Sequence, residues 1–229
     1  MKKNMQLVAA IALTSSAIMT ATTPASADVS ANVGLVSEYY FRGVNLGDAG
    51  VYAGADFEAA GFYAGTWWID DGTGGSDNGV AGGDGMETDF YLGYNFDINE
   101  TFSIGLGYNR YEYTYGSNFE HELDLSASFG PVSIEYASGE ADDGDSETTD
   151  YDFLAVSWSG EIFGAKIGTF ENDDTDNAYD YLELSASGEV VGLDMTFSIG
   201  KTTNVESAGS DVSSGDGYMV LDISKSFDL

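Results

Sequence analysis

Along most of this chain, apolar and polar residues alternate one by one. In "FSIGLGYNR", Phe102, Ile104, Leu106 and Tyr108 share one face, and Ser103, Gly105, Gly107 and Asn109 share the other. In "EHELDLSASF", Leu123, Leu125, Ala127 and Phe129 oppose Glu122, Asp124, Ser126 and Ser128. "VGLDMTFSIG" and "VSIEY" repeat the pattern. Successive side chains of a β-strand point to opposite faces, so a period of two predicts strands. Twelve such stretches can be marked, at approximately 30–41, 50–58, 62–70, 86–96, 102–114, 119–129, 132–139, 149–159, 163–171, 179–188, 191–202 and 216–227. Most have the length that a tilted strand needs to cross a bilayer, about 9–11 residues.

A β-sandwich also alternates, so the connections carry more of the argument. Short turns are expected at 59–61, 97–101, 130–131, 160–162 and 189–190, and longer loops at 42–49, 71–85, 115–118, 140–148, 172–178 and 203–215. The two kinds of connection alternate, so the longer ones fall on one side. Outer-membrane barrels are built this way, with an even strand number, short periplasmic turns and longer outer loops. The faces agree. Glycine, serine and carboxylates suit neither a sandwich core nor a narrow filled barrel, but they suit a wet lumen. Val, Leu, Ile, Phe and Met on the other face suit lipid. Strands in hydrocarbon must close on themselves, because an open edge leaves backbone groups unsatisfied. The expected fold is therefore all-β: a transmembrane antiparallel up-and-down barrel of about twelve strands.

The start of the chain changes the picture once. Lys2 and Lys3 precede the apolar run "LVAAIALTSSAIM", and "ASA" (Ala25–Ala27) is a small-residue cleavage signal. This predicts a signal peptide over 1–27 and a barrel over 28–229. The apolar run is too short for a membrane-spanning helix. The whole chain carries 39 acidic and 7 basic residues and no cysteine. So acidic a surface excludes nucleic acid as a partner, and disulfides play no part.

Aromatic residues cluster near predicted strand ends. "GFYAGTWWIDD" holds Trp67 and Trp68 just before an acidic loop; "YNRYEYTY" holds Tyr111 and Tyr113; "EYYF" holds Tyr39 and Tyr40. All six are expected in an aromatic girdle at the outer rim, where amphipathic rings collect at headgroup depth. Parity along the strands places Asp56, Glu58, Asp89, Glu122, Asp124, Glu135, Glu183, Asp194 and Asp222 in the lumen, with Lys166 as an inward base. Carboxylates lining a confined aqueous path concentrate cations and repel anions.

The stretch "EYYFRGVNLGDAGVYAGADFEAAGFYAGTWWID", followed by "ETDFYLGYNF", resembles the N-terminal signature of the TorF-like porins, a family of proteobacterial outer-membrane proteins. The matching elements are Tyr40-Phe41-Arg42-Gly43, Gly61–Trp67 and Glu87–Tyr94. Family members usually carry a longer Ser/Gln- and Pro-containing loop after Arg-Gly, where this chain has "VNLGDAG". The resemblance implies an outer-membrane barrel and a pore, and supplies no substrate.

Other chemistry is sparse. The single histidine, His121, shares parity with Leu123 and Leu125 and is expected on the outer face. Ser117 and Ser126 are near it in sequence, but no motif marks either as a nucleophile of the Ser–His kind. The acidic loops "GEADDGDSETTD" and "ENDDTDNAYD" lack EF-hand spacing, so solvated loops with weak divalent-cation binding are expected, and no cofactor. The sequence thus predicts a porin-like channel, not an enzyme, in the outer membrane of a Gram-negative bacterium. It would pass small solutes or ions passively, with a cation bias from the lumen carboxylates. Its expected partners are outer-membrane lipid, lipopolysaccharide and the barrel-assembly machinery. The alternative is a plugged barrel whose acidic loops make it a surface receptor, adhesin or envelope stabiliser.

Overall fold

The computed structural model describes residues 27–70, 85–114, 119–142, 148–172, 177–206 and 217–229. Residues 1–26, which hold nearly all of the expected signal peptide, and most of the acidic loop residues lie outside the described residues.

The alternating stretches form fourteen strands. They are β1 (Ala27–Val36), β2 (Tyr39–Phe41), β3 (Val44–Gly47), β4 (Gly50–Ala59), β5 (Phe62–Asp70), β6 (Met86–Asp97) and β7 (Phe102–Tyr113). There follow β8 (Phe119–Phe129), β9 (Val132–Asp142), β10 (Thr148–Ser159), β11 (Phe163–Asn172), β12 (Asn177–Val190), β13 (Leu193–Glu206) and β14 (Gly217–Asp228). Twelve of them make one closed antiparallel barrel, in which each strand pairs with its sequence neighbours. Closure comes from β1, which pairs β4 along its whole length (Ala27↔Ala59 to Val36↔Gly50) and β14 on its other edge (Ser30↔Asp228 to Val36↔Asp222). No barrel edge is left open, as hydrocarbon requires.

Short turns gather at one end with both described termini. Ala60-Gly61 and Val191-Gly192 both take positive φ (51° and 88°, 55° and 76°), the conformation of two-residue hairpin turns matched to strand twist. At the Gly130-Pro131 turn only Gly130 takes positive φ (56°), because the ring of Pro131 holds its own φ negative. The last of these turns falls at 191–192, two residues beyond the expected 189–190, because β12 runs on to Val190.

The outward face is apolar: Leu106, Leu123, Leu125, Ile134, Ile167, Leu182, Leu184 and Phe197 stand exposed around the wall. Outward aromatics concentrate at the turn end, where Phe57 packs on Phe62 and Tyr94 on Phe96, with Phe129, Trp158, Phe163 and Phe227 also exposed.

The inward face changes character along the barrel. Near the turns it carries Asn32, Ser103, Gly105, Ser126 and Ser198. Toward the loop end it carries aromatic rings in two clusters. One joins Val36, Tyr39, Tyr52, Trp67 and Ile69; the other joins Ala137, Phe153, Ala155, Tyr179 and Tyr181.

The first expected strand, 30–41, is cut short. β1 leaves the ladder after Val36, and Tyr39–Phe41 pairs instead with Val44–Gly47 in a separate two-stranded hairpin. The exit is pinned to β14: the Ser37 amide donates to the Leu221 carbonyl (2.9 Å), and the Leu221 amide donates to Ser37 Oγ (2.9 Å). From there the hairpin turns inward, between the two clusters.

Candidate functional site

The hairpin β2–β3 lies across the lumen. Its tip is Arg42-Gly43, both with positive φ (48° and 83°), so it is itself a tight two-residue turn. Gly43 is required twice over: for that backbone conformation and for space. A Cβ there would stand 2.6 Å from the Cβ of Tyr181 on β12. The Gly43 carbonyl accepts a hydrogen bond from Thr202 Oγ1 on β13 at 2.6 Å.

Arg42 points away from that contact and reaches β8. Its Nη1 and Nη2 donate to Glu122 Oε2 and Oε1 at 2.8 and 2.9 Å, a two-pronged pair. The two side chains are 3% and 0% exposed. Glu122 also accepts from Tyr111 (2.7 Å), Asn109 (3.1 Å) and Tyr151 (3.1 Å), so its charge is compensated on every side. The guanidinium lies 4.0 Å from the ring centroid of Phe153 and 4.7 Å from that of Phe41. Glu135 stands 3.8 Å from Arg42 and 3.4 Å from Lys166 Nζ, so an ionic chain Glu122–Arg42–Glu135–Lys166 joins the hairpin tip to β8, β9 and β11. Tyr39 donates to Glu87 at 2.8 Å and packs on Trp67. Tyr40 stacks on Tyr218 at 4.2 Å, and Phe41 packs on Tyr111. The hairpin therefore touches opposite walls of the barrel at one level.

Four tyrosines outside the hairpin, Tyr52, Tyr91, Tyr218 and Tyr151, follow a common plan. Tyr52 on β4 lies over Gly34 on β1 and donates to Asp222 on β14 at 2.8 Å. Tyr91 on β6 lies over Gly65 on β5 and donates to Asp56 on β4. Tyr218 on β14 lies over Gly200 on β13 and donates to Glu183 on β12 at 3.0 Å. Tyr151 on β10 lies over Gly139 on β9 and reaches Glu122 on β8. In each case a glycine without Cβ lets the ring lie flat on the wall, and the hydroxyl spans to a carboxylate two strands away in the same rotational sense.

The expected lumen residues Asp56, Glu58, Asp89, Glu122, Asp124, Glu135, Lys166, Glu183, Asp194 and Asp222 all sit at inward-facing strand positions. The structure gathers Glu122, Glu135 and Lys166 around the hairpin tip, holds Asp56, Glu183 and Asp222 under tyrosines, and places Glu58 and Asp194 nearer the turns.

The aromatic residues assigned to an outer girdle are placed differently. Tyr39, Trp67 and Tyr111 are buried inside the barrel, Tyr40 is stacked inside on Tyr218, and Tyr113 shares the inward parity of Tyr111. Only Trp68 keeps an outward position. The reason is local for Tyr39 and Tyr40, because the chain has left the barrel ladder there. For Trp67 the reason is its glycine-flanked strand, whose inward set, Tyr63, Gly65, Trp67 and Ile69, is no more polar than its outward one.

Two residues of the candidate site are absent from the lumen set expected from the sequence: Arg42, a second inward base, and Glu87, which accepts a hydrogen bond from Tyr39. The signal for Arg42 was present as Arg-Gly between two short β-prone runs, which is the pattern of a tight hairpin. His121 lies on the outer face, between Tyr108 and Phe119, while Ser126 faces the lumen, so the two do not meet. Among the described residues, no cluster of His, Cys, Asp and Glu is arranged to hold a metal ion.

Solved structures of similar shape are outer-membrane channels. The KdgM porin aligns with a TM-score of 0.52 at 10% identity, covering 88% of this chain and 99% of that one. The KdgM porin in complex with disordered oligogalacturonate aligns equally well, at TM-score 0.52 and 10% identity over 88% and 99% of the two chains. The COG4313 outer membrane channel from Pseudomonas putida F1 gives a TM-score of 0.47 at 10% identity, over 90% and 97% of the chains. At such identity the likeness concerns the fold. No curated protein matches the sequence. The match that covers residues 20–218 is to a family described as bacterial proteins of unknown function, and the chain belongs to that family, Gcw_chp.

Proposed function

We propose that this protein is an outer-membrane channel through which small solutes or ions diffuse passively, with a bias toward cations. The observation that carries this reading is the pairing of a closed barrel, apolar outside, with an inward face of glycine, serine and many carboxylates against two bases among the described residues, Arg42 and Lys166. An apolar outer wall is stable only in lipid. Uncompensated acid along a confined aqueous path raises the local cation concentration. Outer-membrane lipid, lipopolysaccharide and the barrel-assembly machinery are the partners this placement calls for. The KdgM structure with oligogalacturonate concerns a polyanionic ligand. The acidic wall here disfavours such a polyanion, so likeness of fold does not extend to cargo.

The test is reversal potential in planar bilayers under a potassium chloride gradient, with purified protein. The expected sign favours potassium; a chloride-selective pore would overturn the charge argument.

A second reading has its own observation. The hairpin crosses the lumen and is tied to both walls, which suits a plugged barrel acting as a surface receptor or envelope stabiliser through its loops. Absence of conductance, even after the hairpin is replaced, would favour it.

A further inference from the structure

The cradle that holds Arg42 belongs to the barrel, whereas the arginine in it belongs to a hairpin. Glu122 on β8 meets the guanidinium with both oxygens. Tyr111 and Asn109 on β7 and Tyr151 on β10 aim their donors at the same carboxylate and fix its orientation. Phe153 on β10 supplies a ring face at 4.0 Å, and Glu135 on β9 a second charge at 3.8 Å. Asp124 lies next to Glu122 on the inward face, joined to it by Asn109, which donates to both. Its Oδ1 is buried without a hydrogen-bond partner, in a residue 4% exposed. A forked carboxylate, a ring face and a spare acceptor on a rigid wall together recognise a planar, multi-donor cation.

We propose that this cradle is a binding site for guanidinium-bearing solutes and that Arg42 is its tethered occupant, so that such a solute opens the channel by taking the arginine's place. The inference rests on the channel reading. Its physical basis is the cost of an empty cradle. Withdrawing the hairpin alone leaves Glu122 charged without a counter-ion beside Asp124 and Glu135, which is unfavourable. A guanidinium guest removes that penalty. It binds only when the hairpin is out, so it shifts the population toward the open form. The hairpin can leave without breaking any strand pairing of the wall, because β2 and β3 pair with each other in a separate sheet. Its base is held to β14 by two hydrogen bonds at Ser37, its body by the Tyr39–Glu87 hydrogen bond and the Tyr40–Tyr218 stack, and its tip by Arg42 and a hydrogen bond to the Gly43 carbonyl.

The experiment is single-channel recording of Arg42→Ala in planar bilayers, with guanidinium chloride at low millimolar concentration and equimolar tetramethylammonium chloride as control. Arg42→Ala should conduct more than the wild type. Guanidinium should then enter the vacated cradle and reduce that current at a concentration about tenfold lower than tetramethylammonium does. The double variant Arg42→Ala/Glu122→Gln should lose this preference. In the wild type, guanidinium should instead increase the open fraction. Equal effects of the two cations, or a guanidinium preference that survives Glu122→Gln, would overturn the proposal.

Arg42→Lys, which keeps a charge in the cradle without the fork, serves if the alanine variant does not fold; guanidinium should displace its hairpin at lower concentration than in the wild type. If no variant conducts, the channel reading fails separately. The cradle is then tested by isothermal titration of guanidinium into detergent-solubilised Arg42→Ala. Binding heat that disappears with Glu122→Gln supports the site, and no heat overturns it.

Discussion

The inward tyrosines show how single residues keep this barrel from filling itself. A tyrosine ring standing upright in a bore of twelve strands would occupy much of it. Here each of several rings lies over a glycine and is tethered by its hydroxyl to an acid. The glycine is essential because a Cβ at Gly200 would stand 2.0 Å from Cζ of Tyr218. Gly200→Ala is therefore expected to swing Tyr218 off the wall, break its bond to Glu183 and disturb its stacking on Tyr40. The measurable result is a lower single-channel conductance, with a stability loss of about 1–3 kcal/mol in urea unfolding from micelles. Unchanged conductance and stability would show that the ring is accommodated without leaving the wall. Val191 is the opposite case. It is β-branched, 97% exposed and held at φ 55°. Nothing packs there to offset the unfavourable conformation, whereas asparagine adopts it readily. Val191→Asn should raise stability by about 1 kcal/mol in the same assay, with no effect on conductance.

At the scale of elements, the hairpin β2–β3 decides how open the lumen is. It carries the only arginine in the barrel interior among the described residues, and it joins both interior clusters, one through Tyr39 and Phe41 and the other through Val44. Replacing residues 38–48 by a short Gly-Ser turn should leave the twelve-stranded ladder intact, because none of the barrel pairings involves β2 or β3. Conductance should rise several-fold. Stability should fall, because Glu122 loses its Arg42 counter-ion and Glu87 its bond from Tyr39, and buried acids are left less compensated. A variant that folds and conducts no more than the wild type would show that the bore is closed elsewhere.

At the scale of the whole molecule, charge and lipid contact act together. The outer wall leaves many leucines, isoleucines, valines and phenylalanines exposed, so the barrel is expected to need lipid or detergent. The excess of inward acid gives the selectivity a salt dependence. Counter-ions screen fixed charges over a Debye length of about 10 Å at 0.1 M and about 3 Å at 1 M. The cation preference should accordingly be strongest in dilute potassium chloride and fade toward molar salt. A preference independent of salt would assign selectivity to size or to the aromatic rings.

Strand content and the inward set of acids were legible in the sequence because they rest on a period of two, which is local, and closure followed from the cost of an open sheet edge in hydrocarbon. Residues such as Leu123, Glu122 and Asp124 declare their faces by their immediate neighbours. The chain was also legible as twelve spanning strands with turns at one end, since the glycines and short polar runs mark where each ladder must reverse. What only the tertiary structure decided lies where parity ceases to apply. After Val36 the chain leaves the ladder, so alternation could not say that Tyr39, Tyr40 and Arg42 turn into the bore instead of standing at its rim. The Arg42–Glu122 pair joins residues 80 apart in sequence. The tyrosine-over-glycine contacts likewise depend on cross-strand register, which a single strand does not contain. Local alternation sets which face a residue takes; only closure of the sheet sets what it meets across the lumen.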